Sequence, residues 1–278
     1  MAALSLSVLR LGSMRAALRR VSRYVLFVLL AYLLFLLVTL PAARAYTMLK
    51  ERIAPLQLYG VEGTFWSGSA ALAVSGARQF QQVSWRFHPW ALMLGRAEAA
   101  VTFDETGRHT RAIAGRTLSG GVYLHDVTTR LPATALERMF NISGTGLDGV
   151  VDIHLAEVTF ADKKLAAVNG TFAWNNAGLV SPKTALGSFV MTLETSGEEI
   201  KGVLKDNPGS PLRAEGVLRL KPDGSYQFTG ALSLRDPGRA DLEQALRFFG
   251  SPGPGGKVNL STSGMMPLPF VGGADRPQ

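Results

Sequence analysis

The feature that most constrains this chain is an uncharged apolar run of seventeen residues near its N-terminus, at residues 24–40. The anchor residues that we single out in it are Tyr24, Val25, Leu26, Phe27 and Leu40. A helix of this run, extended through residue 43, would be roughly as long as the ~30 Å hydrocarbon layer of a bilayer is thick. A helix buried in a globular core would carry a polar face, and this run has none. We therefore predict a transmembrane helix over residues 24–43.

Basic residues flank this run unequally, which predicts its orientation. Five arginines precede it, at positions Arg10, Arg15, Arg19, Arg20 and Arg23. The first acidic residue is Glu51. Because cytoplasmic flanks of membrane helices carry an excess of Lys and Arg, we predict that residues 1–23 form a cytoplasmic basic segment.

A cleaved signal peptide is the alternative interpretation of the same run. Ala43, Arg44 and Ala45 fit the small-x-small cleavage pattern, so cleavage after Ala45 would release the rest of the chain. Against cleavage, the run is longer than the ~7–15 residues of a usual signal-peptide core, and a charged residue interrupts the triplet. Both interpretations place residues 46–278 outside the cytoplasm, with residues 46–264 as one β-rich domain.

Charge and composition exclude several classes of protein. The net charge is +8, but five of the 29 basic residues lie in the first 23 positions, which leaves 24 basic against 21 acidic residues. The exported part therefore lacks the electropositive surface of a nucleic-acid-binding protein. The chain has no cysteine, which rules out disulfides, thiolate metal sites and cysteine nucleophiles.

Beyond the apolar run, the chain is predicted to be mainly β. Short stretches alternate apolar and polar residues between glycines, the pattern of half-buried antiparallel strands, at residues 82–87, 97–103, 150–155, 189–194, 216–220 and 226–234. Pro222, Asp223 and Gly224 predict a hairpin turn between the last two.

Two short helices are predicted to interrupt the strands and to close over the sheet core. One covers residues 131–140, and the other covers residues 241–249, with Asp241 as N-cap and Gly250 just past its end. The surroundings of the two helices resemble each other. Gly121, Asp126, Phe140 and Gly149 are matched by Gly230, Asp236, Phe249 and Gly256 at offsets of 107–110 residues. We predict two related halves, at about 60–145 and 147–264, that share one extended, curved antiparallel sheet, followed by a disordered tail at 265–278.

No pattern of catalytic residues or metal ligands is present, so we predict that the chain is not an enzyme and binds no cofactor or metal. The four histidines form no ligand motif, and the nearest approaches to a site are His125 with Asp126 and Asp152 with His154. A solvated strand face accounts for both pairs.

The pattern that stands out combines tryptophans with glycines. Three groups carry it: Gly60, Gly63, Trp66 and Gly68 in G-x-x-G-T-h-W-x-G; Trp85, Pro89 and Gly95 in h-x-W-x-h-x-P-x-x-L-h-x-G-R; and Gly170 and Trp174 in G-T-h-x-W, where h is hydrophobic. Core filling explains the indoles most simply. An apolar groove or partner surface is the alternative. In this order, behind a basic N-terminus and one apolar helix, the motifs resemble the type II secretion system protein N family over nearly the whole chain.

The resemblance implies a single-pass protein of the bacterial inner membrane, with its N-terminus in the cytoplasm and its main domain in the periplasm. It implies an accessory or assembly role in the export of folded proteins, through contacts with other inner-membrane or periplasmic secretion components. The chain is also distantly similar to AsmA-like proteins, whose sheets have a hydrophobic concave side. A lipid-handling module with lipid in a groove is therefore the alternative function.

Overall fold

The computed structural model describes residues 24–266, except 77, 106–107, 136, 138–145, 163, 182 and 237. These residues form one open antiparallel sheet of thirteen strands. The strands are β1 (Leu56–Gly63), β2 (Ser67–Ser75), β3 (Arg78–Phe87), β4 (Arg96–Glu105), β5 (Arg108–Thr117), β6 (Val122–Pro132), β7 (Leu147–Ala161), β8 (Lys164–Leu179), β9 (Thr184–Ser196), β10 (Glu199–Asp206), β11 (Leu212–Leu220), β12 (Ser225–Leu234) and β13 (Val258–Met265). The prediction of a mainly β chain is confirmed, and all six predicted strand stretches lie in strands.

Each strand pairs only with its neighbours in sequence, so the sheet is a meander with β1 and β13 at its edges. The predicted turn at residues 222–224 joins β11 to β12, and there the Lys221 N–H donates to the Ser225 carbonyl over 2.9 Å. Gly224 adopts a φ of 89°, which the turn requires of it.

Successive side chains of a strand point to opposite faces of the sheet. In this sheet the two faces differ in polarity. On one face, a single row of directly paired residues crosses all thirteen strands. The row runs Glu62, Ser69, Ser84, Thr102, Arg111, Thr128, His154, Thr171, Thr192, Val203, Val217, Thr229, Ser261. We call this side the polar face.

The opposite side, the apolar face, carries hydrophobic rows. One row crosses β3 to β8 as Phe87, Ala99, Ala114, Leu124, Val158, Val168. Another crosses β7 to β13 as Ile153, Phe172, Met191, Leu204, Gly216, Gly230, Leu260. Burial of these rows supplies the main favourable free energy of folding.

Two buried clusters lie on the apolar face, both in the C-terminal part of the sheet. The first contains Val151, Leu186, Phe189, Leu212 and Val258, and a helix covers it. This helix, Ala240–Phe249, packs Leu242, Ala245 and Leu246 into the cluster, where they are at most 2% exposed. The second cluster includes Phe160, Leu165, Ile200 and Leu220 and contains no helical residue among those described. Its side chains bury one another across the sheet face.

The helical predictions need two corrections. Asp241 is not the N-cap of the helix Ala240–Phe249: that position is Arg239, and Asp241 lies inside the first turn, where its carboxylate pairs with the Arg239 guanidinium at 2.6 Å. Gly250 follows the helix as predicted. Of the predicted helix 131–140, Leu131 and Pro132 end β6, Ala133 lies in a turn, and residues 134, 135 and 137 are helical. Residues 136 and 138–140 lie outside the described residues.

The N-terminal described residues, 24–38, form helix α1. In the part of the chain that the structure describes, no helix has the length and hydrophobicity to span a bilayer. Helix α2 (Ala42–Leu49) follows directly, α3 (Pro89–Met93) joins β3 to β4, and α4 is the helix Ala240–Phe249 described above. A 3-10 turn (Pro254–Gly256) precedes β13.

Both predicted repeat units join neighbouring strands through helical residues, β6 to β7 and β12 to β13. The matched residues do not occupy the same positions in their strands, because Gly121 precedes β6 whereas Gly230 lies within β12. At the C-terminus, Met265 ends β13 and Met266 packs against the second cluster, so these two residues do not belong to the predicted tail. The remainder of that tail, and the five arginines, lie outside the described residues.

Candidate binding surfaces

The end of α1 is joined to the sheet by a network centred on Trp66. In a continuous helix the Leu37 carbonyl would accept from the N–H of residue 41, but that residue is proline and has no N–H. The indole Nε1 of Trp66 donates to the Leu37 carbonyl instead, over 2.8 Å. The Phe65 N–H donates to the Leu40 carbonyl over 2.8 Å, and Pro41 forms an antiparallel bridge with Thr64. The β1–β2 turn therefore caps the carbonyl end of the apolar helix.

Aromatic rings hold the same turn against β3. The Phe65 and Phe87 rings stack at 4.9 Å between centroids, and the Phe87 N–H donates to the Trp66 carbonyl over 2.7 Å. The Trp85 indole donates to the Phe65 carbonyl over 3.0 Å. This junction is one connected unit of helix end, turn and strand.

The structure brings together part of the predicted motif set. Gly63, Trp66, Gly68 and Trp85 meet at the junction, where Gly63 takes a φ of 82° to turn the chain out of β1. Gly60 lies in β1, and Pro89 and Gly95 bound the α3 connection. Gly170 and Trp174 lie in β8, away from the junction. There the Trp174 indole donates to the Asp148 carbonyl over 3.0 Å and its ring packs against the first cluster.

The two edges of the sheet differ in how they are protected. At β1, α2 packs alongside and the Tyr46 hydroxyl accepts from the Leu58 N–H over 3.0 Å. Gly60 also interrupts the β1–β2 pairing, and Glu62 adds a charge. Helix cover, irregular pairing and charge are all devices that block a sheet edge.

In the part of the chain that the structure describes, α4 contacts the first residues of β13, but the strand has neither an interruption of its pairing nor a charge. It pairs with β12 through eight residues in unbroken register, and it contains neither a charged residue nor a proline. Residues 261–265 are exposed. Half of the backbone groups of an edge strand point away from the sheet, so β13 offers a template for an additional strand.

A cluster of polar side chains that the sequence analysis missed surrounds Glu98 on the polar face. Its carboxylate is 2.7 Å from His88 Nδ1, 3.0 Å from the Tyr123 hydroxyl and 3.5 Å from His125 Nε2. The hydrogen bond from His88, aided by Tyr123 and His125, outweighs burial and lowers the pKa of Glu98. Burial and the neighbouring carboxylate raise the pKa of Tyr123. His88 directly precedes α3, so the cluster fixes the start of that connection.

Of the two predicted pairs, His125 and Asp126 are in contact, whereas Asp152 and His154 have separate partners. His125 Nδ1 is 3.2 Å from the Asp126 carboxylate, whereas Asp152 pairs with Arg130 at 2.5 Å and His154 lies 3.2 Å from the Thr128 hydroxyl. The described residues contain no group of three His, Asp or Glu side chains that could hold a metal ion.

The apolar face is less enclosed over β1 to β6 than in the C-terminal part. There its aromatic side chains contact one another, as Phe80 and Phe103 do with centroids 5.1 Å apart, but they remain half-buried. A cleft of about 440 Å³ lies elsewhere, at the strand ends between Asp148, Lys183, Ser188 and Ser210.

The similarity to known proteins covers nearly all the residues of the sheet. A family model described as "Type II secretion system (T2SS), protein N" matches residues 54–261. A type II secretion system protein N from Aeromonas hydrophila is 28% identical over 242 residues, covering 85% of this chain and 95% of that relative. Those from Vibrio cholerae and Pectobacterium carotovorum are each 27% identical over 219 residues, covering 76% and 73% of this chain and 85% and 82% of the relatives. No solved structure matches. Since the family model covers most of the sheet, the chain belongs to the type II secretion system protein N family.

Proposed function

We propose that this component of the type II secretion machine is an accessory protein that works by binding. In this proposal, residues 24–43 hold it in the inner membrane, residues 1–23 lie in the cytoplasm, and the sheet lies in the periplasm. Strand β13 then accepts a strand from another inner-membrane or periplasmic secretion component.

The observation that carries the proposal is the open edge at β13. A sheet that blocks β1 with a helix, an irregularity and a charge, but leaves β13 regular and uncharged, presents one selective site for strand addition. Main-chain hydrogen bonds would supply affinity there, and alternate side chains would supply specificity.

The surface of α1 supports the anchor. Every described residue from Tyr24 to Val38 is apolar and exposed, with Tyr24 at 72% and Leu30 at 62%. In water such a helix would leave a large apolar surface unburied, whereas in lipid that surface is matched to its surroundings.

Site-specific photo-cross-linking in cells tests the binding edge. A photoreactive amino acid replaces Ser261 or Ser263 on β13, and the matched control replaces the exposed Gln57 on β1. We expect adducts with a secretion component from β13 and none from Gln57. Equal adducts from both edges would contradict strand addition at β13.

Lipid handling remains the second candidate, favoured by the half-buried apolar face over β1 to β6. The same experiment with the photoreactive group at Val83, on that face, separates the two functions. Phospholipid adducts at Val83 without protein adducts at β13 would support lipid handling and contradict the accessory-binding proposal.

The membrane topology has its own test, because a chain without cysteine permits single labels. Ser7→Cys should react with a membrane-impermeant maleimide only after the membrane is broken, and Ser263→Cys should react in intact spheroplasts. The intact mass of the purified protein shows whether the anchor is retained or the chain begins at Tyr46.

A further inference from the structure

A group of exposed apolar side chains lies at the sheet end that receives α1. Four belong to α3 and the residue after it: Trp90 at 78% exposure, Leu92 at 51%, Met93 at 77% and Leu94 at 77%. The fifth is Leu118, at 90%, in the β5–β6 turn. The Leu118 N–H donates to the Gly95 carbonyl over 3.1 Å, so both segments form one surface, which we call the α3 patch.

The position of this patch follows from the junction. Phe87, the last residue of β3, donates a hydrogen bond to Trp66 in the turn that caps α1, and α3 starts two residues later. Phe87 pairs with Ala99, so β4 extends three further residues, about 10 Å at 3.3 Å per residue, to Arg96. Arg96 in turn pairs with Thr117, next to Leu118. The patch thus lies at the tip of an arm beside the carbonyl end of α1.

The chemistry of the patch and its rim fits a lipid surface. A tryptophan among aliphatic side chains is typical of the boundary between lipid headgroups and acyl chains. Arg86, Arg96 and Arg116 are exposed around it, and none makes an ion pair within the described ranges. Exposed arginines near a membrane attract anionic headgroups.

We propose that the α3 patch inserts into the leaflet at the periplasmic end of α1, where it forms a second membrane contact. The proposal rests on the proposed anchoring by α1. Two contacts joined by the Trp66 junction would fix the sheet at one orientation to the membrane, whereas a helix alone would leave the sheet free to swing.

Single fluorophores on full-length protein in vesicles test this contact. Met93→Cys and Leu118→Cys report on the patch, Leu30→Cys reports on the anchor, and Arg78→Cys reports on the opposite end of β3. Each variant carries an environment-sensitive dye in phosphatidylcholine vesicles, with and without phosphatidylglycerol, and spin-labelled lipid is the quencher.

We expect severalfold stronger quenching at positions 93 and 118 than at 78, and weaker quenching at 93, but not at 30, when phosphatidylglycerol is omitted. Quenching at 30 with none at 93 and 118 would overturn the patch and leave the anchor standing. Absence of quenching at 30 would overturn the anchor itself. Equal quenching at 93 in both lipids would overturn the role of the arginines.

Discussion

The ring of Trp85 lies directly over Gly68, its register partner on β2. A Cβ added to Gly68 would lie 2.6 Å from the ring atom Cζ2 and 2.7 Å from the Glu62 carbonyl oxygen. The ring therefore covers the backbone of a residue that has no side chain, an arrangement that pins strand register.

Gly68→Ala should accordingly destabilise the sheet by about 1–3 kcal/mol, because neither the ring nor the β1 backbone has room for a methyl group. Gly209→Ala is the matched control, since its nearest neighbour would be 3.9 Å away. Thermal unfolding in detergent measures both. Equal melting temperatures for the two variants would contradict the close packing.

Trp66→Phe should weaken the junction by about 1 kcal/mol, since the Leu37 carbonyl loses its donor while most ring contacts remain. Protease sensitivity between α1 and β1 should rise. Trp90→Phe, at an exposed position, should change neither the stability of the junction nor its protease sensitivity. Unchanged protection in the Trp66 variant would mean that the indole hydrogen bond contributes nothing.

Leu242→Ala should cost about 2–5 kcal/mol, because the side chain is fully buried between α4 and the sheet. Leu118→Ala makes the same chemical change at a residue that is 90% exposed. Urea unfolding should separate the two variants clearly. Similar midpoints would argue against α4 covering the first cluster.

Acid should remove the stabilisation supplied by Glu98. Its pKa is lowered in the folded protein, chiefly by the hydrogen bond from His88, so the carboxylate stabilises the fold above its ordinary pKa of 4.5. That contribution is lost as the pH falls through the folded-state pKa. Glu98→Gln should therefore lower the melting temperature at pH 7. Below about pH 4.5, the melting temperature of this variant should fall less steeply with decreasing pH than that of the control, the exposed Glu194→Gln.

Proline on β13 should separate strand addition from stability. Adjacent residues of an edge strand direct their N–H groups alternately to the neighbouring strand and away from the sheet. One of Thr262→Pro and Ser263→Pro should therefore disrupt pairing with β12, and the other should keep the melting temperature yet abolish cross-linking of the partner. Retained cross-linking in the stable variant would contradict the edge proposal.

The sequence predicts those strands and turns that depend only on local features, such as the alternation of apolar and polar residues. The stretches at 82–87 and 226–234 are strands whose alternate side chains face the apolar and the polar side of the sheet, and the turn at 222–224 follows from Pro and Gly. The Glu98 cluster could not be predicted, because His88 reaches Glu98 through the pairing of β3 with β4, and Tyr123 and His125 reach it through the register of β4 to β6. Asp241 was a reasonable N-cap by residue type, but the chain enters α4 two residues earlier. The free edge at β13 depends on the strand order of the whole sheet.

The strictly sequential strand order has a consequence for biogenesis. Because every strand pairs with the one made just before it, no segment has to wait for a distant part of the chain. In the proposed topology, a chain translocated from its N-terminus could add strands one at a time onto β1, starting at the Trp66 junction. In that order of assembly, β13 would be the last edge to form and would become available only once the rest of the sheet is complete.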